Sequence, residues 1–223
     1  MGFDASYIWD SFPALVKYLP ITLLLAVVSM FFAVLIGLVL AICRFNKIPV
    51  LNQLAAAYIS FFRGVPTLVQ LFLIYFGLPQ IIPAMSSLDA MTAAIMGLSL
   101  KEASYLAEIF RAALTSVDRG QYEAGLSTRL KPRQIYQHYV LPQAAFNALP
   151  STGNIFIGLI KETSIVFTLG ITEMFASAQM VAANNFHYFE TYLMAGLLYW
   201  AVIAIVGYLL ELLEKSIGRP YQR

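Results

Sequence analysis

From Ile21 to Cys43 the chain runs for about 23 residues without a charge. A hydrocarbon core about 30 Å thick is crossed by about 20 apolar residues, and they must be helical so that every backbone N–H and C=O is satisfied without water. A chain built around such a run has lipid as its solvent. The rest agrees: 60% of residues are hydrophobic and 12% charged, with mean hydropathy +0.73, against about 25% charged in soluble domains. The run is too long for the core of a signal peptide. Asp4 and Asp10 stand ahead of it where a leader would be basic. Cys43 is the one cysteine, so no intrachain disulfide forms, and it reads as a small apolar residue at a helix end.

Residues 1–20 are mixed and aromatic, with Tyr7, Trp9, Phe12 and Tyr18, and read as a lead-in at headgroup depth. Arg44 and Lys47 close the first span. Leu51, Leu54, Tyr58, Ile59 and Phe62 fall at helical spacing and suggest a helix lying at the membrane surface. Arg63-Gly64-Val65-Pro66 breaks it, and Pro66 suits the first turn of a second span. Pro79 and Pro83 are expected to end that span. A third span covers about Thr92–Ser116. A fourth, rich in glycine and threonine, covers about Asn147–Leu169. Gly170–Phe189 reads as a re-entrant or external loop, and Thr191–Leu213 as the fifth span.

With the N-terminus outside and five spans, ten of the fourteen Lys and Arg lie on the cytoplasmic side: Arg44, Lys47, Arg63, Arg119, Arg129, Lys131, Arg133, Lys215, Arg219 and Arg223. The opposite orientation inverts the bias, so the N-terminus is expected outside and the C-terminus in the cytoplasm. No repeat or linker divides the chain, and one domain, 1–223, is expected.

No GxxxxGK[ST] phosphate loop, HExxH or CxxC is present, and His138 and His187 each stand alone. The chain is therefore read as no enzyme, with no cofactor or metal of its own. If it drives active transport, the energy comes from another chain or from an ion gradient.

Two sets of residues carry chemistry. Lys101, Glu102, Glu108 and Arg111 interrupt the third span, and Lys161 and Glu162 the fourth. An ionisable group at membrane depth costs at least about 2.5–3.5 kcal/mol and normally faces a partner or a polar cavity. Glu108 and Arg111, three apart, can pair. Lys101, Tyr105 and Glu108 share a helix face and can form one polar wall, with Lys161-Glu162-Thr163-Ser164 as a second. A zwitterion needs a cation at its carboxylate and acceptors at its ammonium. Lys161 or Arg111, with Glu102, Glu108 and Glu162, supply both. The alternative is that these charges only fix helix packing, Arg111 above all, since it can snorkel to the interface.

The second set is the polar stretch Gln121–Ala145, in the cytoplasm by this topology. Glu123-Ala124-Gly125-Leu126 reads as a helix start whose small residues admit a partner. Pro132 breaks and restarts the chain. Ile135–Val140 forms a second short helix that Leu141-Pro142 ends. The stretch is either a hairpin that docks another protein or a solvated loop near anionic lipid.

This stretch resembles the EAA motif of permease subunits in bacterial ABC importers. The pattern is Glu-Ala-Ala, three residues, Gly, nine residues, Ile-x-Leu-Pro, and Glu123-Ala124-Gly125 through Leu141-Pro142 fits it without a gap. Phe62-Arg63-Gly64-Val65-Pro66, Ser104-Tyr105-Leu106-Ala107-Glu108-Ile109-Phe110-Arg111 and Lys161-Glu162-Thr163-Ser164 resemble further stretches of the polar amino acid uptake branch. The likeness covers roughly residues 10–220. Gly125 replaces the third motif residue, and Tyr139 stands at the Ile position. Arg129 stands at the glycine, where positive φ or close packing is convenient. Arg129 is expected at the surface, pairing with an acidic patch on a partner.

The resemblance implies an all-α, type I ABC importer permease with five transmembrane helices in a bacterial inner membrane. It implies a dimer with an identical or sister permease and a pore at the interface. A cytoplasmic coupling hairpin at about 118–147 docks on a pair of ATP-binding subunits, which hold ATP and Mg. An extracytoplasmic solute-binding protein delivers an amino acid; no nucleic acid is involved. Glu123, Ala124, Gly125, Arg129, Leu141 and Pro142 are the coupling residues. Glu102, Tyr105, Glu108, Lys161, Glu162 and Thr163 are the substrate candidates. The rival reading is an ion-coupled secondary transporter or channel that needs no ATPase.

Overall fold

The computed structural model describes residues 3–218; Arg219 and Arg223, two of the cations in the orientation argument, lie outside the described residues. Within them the chain is all helix and turn, without strands.

The apolar run is part of a 40-residue helix, α1 (Ser6–Phe45), with Pro13 and Pro20 inside it. The lead-in expected over residues 1–20 is therefore mostly helical. At 1.5 Å per residue α1 is about 60 Å long, about twice the hydrocarbon thickness, so an aromatic interfacial segment and a span share one helix. Helix α2 (Leu51–Gly64) buries Ala55 and Ile59 and leaves Leu51 and Leu54 exposed. Pro66 then precedes α3 (Thr67–Phe72) with extended ψ, as its N-cap rather than inside its first turn. A π turn (Leu73–Gly77) leads into α4 (Leu78–Ile81), and Pro83–Met85 forms a 3-10 turn. Helix α5 (Ala90–Thr115) is the expected third span. Asp89 caps it by accepting the Thr92 N–H at 3.0 Å and the Thr92 hydroxyl at 2.7 Å.

Next come α6 (Arg119–Ser127), α7 (Pro132–Ile135), a second π turn (Tyr136–Val140) and α8 (Leu141–Glu162), which continues as a 3-10 segment, Thr163–Leu169. Then follow α9 (Met174–Asn185) and α10 (Tyr188–Gly218). The loop expected over Gly170–Phe189 holds a packed helix instead. Helix α9 buries Met174, Ala176, Ser177, Ala178 and Ala182, and alanines and serines carry no hydrophobic period that would have announced it.

Two prolines expected to end helices do not. Pro79 and Pro142 each sit second in a helix directly after a π turn. The Leu78 N–H donates to Leu73 O, and the Leu141 N–H to Tyr136 O. A proline in a regular helix removes one hydrogen bond and drives its ring against the carbonyl four residues back. Those carbonyls belong to Tyr75 and His138, inside the widened turns, so the helix passes through.

Helices α1 and α10 are each long and apolar enough to cross a membrane. Up to four spans result if residues 51–81 and 132–185 each count as one broken span. The charges of α5 keep it out of that set.

The chain forms two compact units: Met1–Phe31 with Val65–Ser99 and Phe156–Gly207, and Phe32–Gly64 with Leu100–Ile155 and Tyr208–Arg223. In the first, Leu25, Leu71, Leu98, Leu159, Ile160 and Val166 form the core. Leu15, Met174, Ala178, Met194 and Ala195 form a second cluster. Glu173, fully buried, ties this unit together. It accepts the Ala176 N–H at 2.7 Å as the cap of α9, the Thr22 hydroxyl at 3.2 Å and the Tyr199 hydroxyl at 3.1 Å. In the second unit small residues set the packing. A Cβ on Gly37 would lie 2.9 Å from Leu106 Cβ and 3.3 Å from the Ala103 carbonyl, so α1 and α5 meet backbone to backbone. Close approach of this kind replaces the hydrophobic drive that lipid does not provide.

Candidate functional site

The polar stretch folds as a hairpin of α6 and α7. Asp118, just ahead of the stretch, starts α6 by accepting the Gly120 N–H, so the helix begins four residues before Glu123. It ends in a full Schellman closure. The Leu130 N–H donates to Gly125 O at 3.1 Å and the Arg129 N–H to Leu126 O at 3.0 Å. That closure requires a left-handed residue, and Arg129 supplies it with φ 63°. Gln134 Oε1 then accepts the Lys131 N–H at 2.9 Å, and Pro132 opens α7 at its first position.

Gly125 points inward. A Cβ there would lie 2.7 Å from Ile135 Cγ1 and 2.8 Å from its Cδ1, and Ile135 is fully buried. The small residue thus serves contact between the two arms, where the sequence suggested contact with a partner. Tyr122 and Tyr136 add a tilted ring pair 5.6 Å apart. Glu123, Ala124 and Arg129 are exposed, as are the apolar Leu126, Tyr139 and Leu141. Ile135–Val140 is not a separate helix: α7, the π turn and α8 run on without a break, and Leu141-Pro142 opens α8.

The intramembrane charges fall into two groups, one in each unit. In the second unit Glu108 accepts from Arg111 Nη2 at 2.6 Å and Nε at 3.2 Å, the pair expected from their spacing. Arg44 Nε lies 3.9 Å from the other carboxylate oxygen. The Tyr105 ring has Arg63 over it at 5.3 Å and Lys101 Nζ also at 5.3 Å. Glu102 is buried and accepts from Lys101 Nζ at 2.8 Å. Tyr105, Glu108 and Arg111 line an open cleft of about 830 Å³ together with Arg63, Ser116 and Asn147. Of the wall expected from Lys101, Tyr105 and Glu108, Tyr105 and Glu108 line this cleft and Lys101 does not. Arg44 and Arg63, read in the sequence without any link to this helix, reach Glu108 and the Tyr105 ring from other helices.

In the first unit Glu162 accepts the Thr67 hydroxyl at 2.6 Å. Thr163 is fully buried and its hydroxyl donates to Ile160 O at 2.7 Å, one turn back on its own helix. Lys161 is exposed and its side chain has no hydrogen bond or ion pair among the described residues. Glu173 escaped notice in the sequence. Its one local signal is an acid three residues before Ala176 at the start of a small-residue run.

The profile described as binding-protein-dependent transport system inner membrane component matches residues 33–219. A probable amino-acid permease protein of Bacillus subtilis, YxeN, is 57% identical over 98% of each chain. A probable amino-acid ABC transporter permease protein of Vibrio harveyi, PatM, is 46% identical over the full length of both. The crystal structure of an amino acid ABC transporter with histidines superposes with a TM-score of 0.88 at 33% identity, covering 97% of this chain and 100% of that one. The chain belongs to the family of inner-membrane permease components of binding-protein-dependent transport systems.

Proposed function

We propose that this permease forms half of the translocation path of an ATP-driven amino acid importer, with five spans, its N-terminus outside and its C-terminus in the cytoplasm. The observation that carries the proposal is the α6–α7 hairpin. Its Schellman closure and its Gly125–Ile135 contact make it a rigid knob, while Glu123, Ala124, Leu126 and Arg129 face outward. A knob with an apolar and charged outer face suits a groove on a second protein. The chain carries no phosphate loop, so ATP and Mg belong to a pair of ATP-binding partners, and closure of that pair moves the hairpins. A second permease, identical or sister, completes the pore, and an extracytoplasmic binding protein delivers the solute. The relatives named above as amino-acid permeases support that solute class.

Tyr105, Glu108 and Arg111 on the open cleft are the first contacts we assign to a zwitterion, and Lys161 is the second. An exposed, unpaired ammonium in an apolar segment suits a carboxylate or an acid from the second permease. Glu102 holds Lys101, which lies over the Tyr105 ring, and Glu162 accepts from Thr67. Co-purification with the ATP-binding chain tests the coupling half. Glu123→Ala or disruption of residues 124–126 should release that chain and abolish amino acid-stimulated ATP hydrolysis. Uptake by this chain alone, driven by an ion gradient without ATP, would establish the secondary-transporter reading instead.

A further inference from the structure

An apolar groove of about 420 Å³ runs along the second unit between α1, α5 and α8. It is lined by Val34, Leu38 and Ile42 of α1, Phe110 of α5, and Ala145 and Leu149 of α8. Its floor is the alanine contact of Ala113, Ala144 and Ala148. From Leu141 to Thr152, both in its lining, the groove extends about 16 Å at 1.5 Å per residue. That is the depth of one leaflet, half of the roughly 30 Å hydrocarbon core.

Leu114 also lines a second cavity, of about 570 Å³, where Lys47, Thr115, Asp118, Arg119, Tyr122 and Tyr136 stand among apolar residues. Asp118 is occupied as the cap of α6. The side chains of Lys47 and Arg119 are exposed and make no ion pair or hydrogen bond among the described residues. Lys47, Asp118 and Arg119 sum to one positive charge. An apolar groove of leaflet depth that shares Leu114 with a singly positive cavity is complementary to one amphiphile: an acyl chain joined to a monoanionic phosphodiester. We infer that this surface binds an anionic glycerophospholipid, with an acyl chain in the groove and the phosphate between Lys47 and Arg119. The lipid then touches the root of the α6–α7 hairpin through Tyr122 and Tyr136.

Native mass spectrometry of the complete transporter, delipidated and titrated with phosphatidylglycerol or with phosphatidylcholine of the same chains, tests the site. One phosphatidylglycerol per copy of this chain should be retained in preference to phosphatidylcholine. Each of Lys47→Ala and Arg119→Ala should weaken that preference about fivefold, and Lys47→Arg should restore it. Ala145→Phe, at an exposed position in the groove wall, should displace both lipids with the complex intact. Glycerol 3-phosphate should not compete; if it does, the cavity is a free-phosphate site and the acyl-chain assignment is wrong. Equal retention of both lipids, or an unchanged preference in the Lys47→Ala/Arg119→Ala double variant, overturns the proposal. Loss of a protein subunit rather than of lipid in Ala145→Phe also overturns it, because the groove would then be a protein interface.

Discussion

Arg129→Gly separates backbone strain from charge at the turn of the hairpin. An L-residue in the left-handed region costs about 1–2 kcal/mol, and Arg129 is held there by the two hydrogen bonds of the Schellman closure. Glycine removes that cost but loses more backbone entropy on folding, about 0.5–1 kcal/mol. The net gain is about 0.5–1 kcal/mol, which slows local opening of the hairpin about two- to fivefold. Hydrogen exchange at the amides of Arg129 and Leu130, whose acceptors are Leu126 and Gly125, reads this directly. Arg129→Ala keeps the left-handed demand and removes the cation, so its exchange should stay near or above that of the parent. ATP hydrolysis coupled to the solute should fall in both variants if the guanidinium meets an acidic patch on the ATP-binding partner. Exchange in Arg129→Gly as fast as in the parent would refute the strain argument. Full coupling in both variants would refute the role of the charge.

Gly125→Ala should destabilise the hairpin by about 1–3 kcal/mol through overpacking on Ile135, less the helix propensity that alanine gains. Ile135→Ala in the same chain should make the glycine replacement harmless, as a thermal-melt double-mutant cycle would show. Glu173→Ala removes the acceptor of three donors at roughly 1 kcal/mol net each, so a loss of about 3 kcal/mol is expected in detergent melts, with Glu173→Gln losing less. The Thr92 hydroxyl and N–H hold the Asp89 carboxyl below its ordinary value of 3.8, so its charged cap contributes fully above that value and is lost as pH falls through the lowered one. The stability difference between the parent and Asp89→Asn should therefore be constant from neutral pH to about pH 5 and vanish in strong acid.

What the sequence disclosed was local. Residues three and four apart on one helix share a face whatever surrounds them, so the Glu108–Arg111 pair and the Tyr105–Glu108 wall were legible before any fold. Arg44 reaches Glu108 across 64 positions of the chain and Arg63 reaches the Tyr105 ring across 42, and no periodicity records that. Glu173 was hidden for the same reason: Thr22 lies 151 residues from it. The inward turn of Gly125 was misread because a small residue on an exposed-looking hairpin serves a partner or the opposite arm equally well. Only the position of Ile135 decides between them.

The prolines mark a different limit. A proline is read as a stop because a regular helix has no place for its ring. Pro79 and Pro142 show a second outcome, in which the preceding turn widens by one residue and the helix continues. The stretches before them, Leu73–Gly77 and Tyr136–Val140, share no residue pattern beyond an aromatic-rich, helix-compatible composition. At Pro79 the continuation is short, since α4 ends at Ile81 with no buried residue. At Pro142 both flanks are held as helix: α7 is started by Pro132 and capped from Gln134, and α8 is anchored by Ala144 and Ala148 against Ala113. At Pro83 the chain beyond is a 3-10 turn followed by the Asp89 cap of a new helix, nothing holds the far side helical, and the proline there does end the segment. A widened turn between the hairpin and α8 also has a consequence for coupling. It joins the hairpin to α8 by continuous helix, so a movement of the hairpin that leaves this turn intact must also move the start of α8.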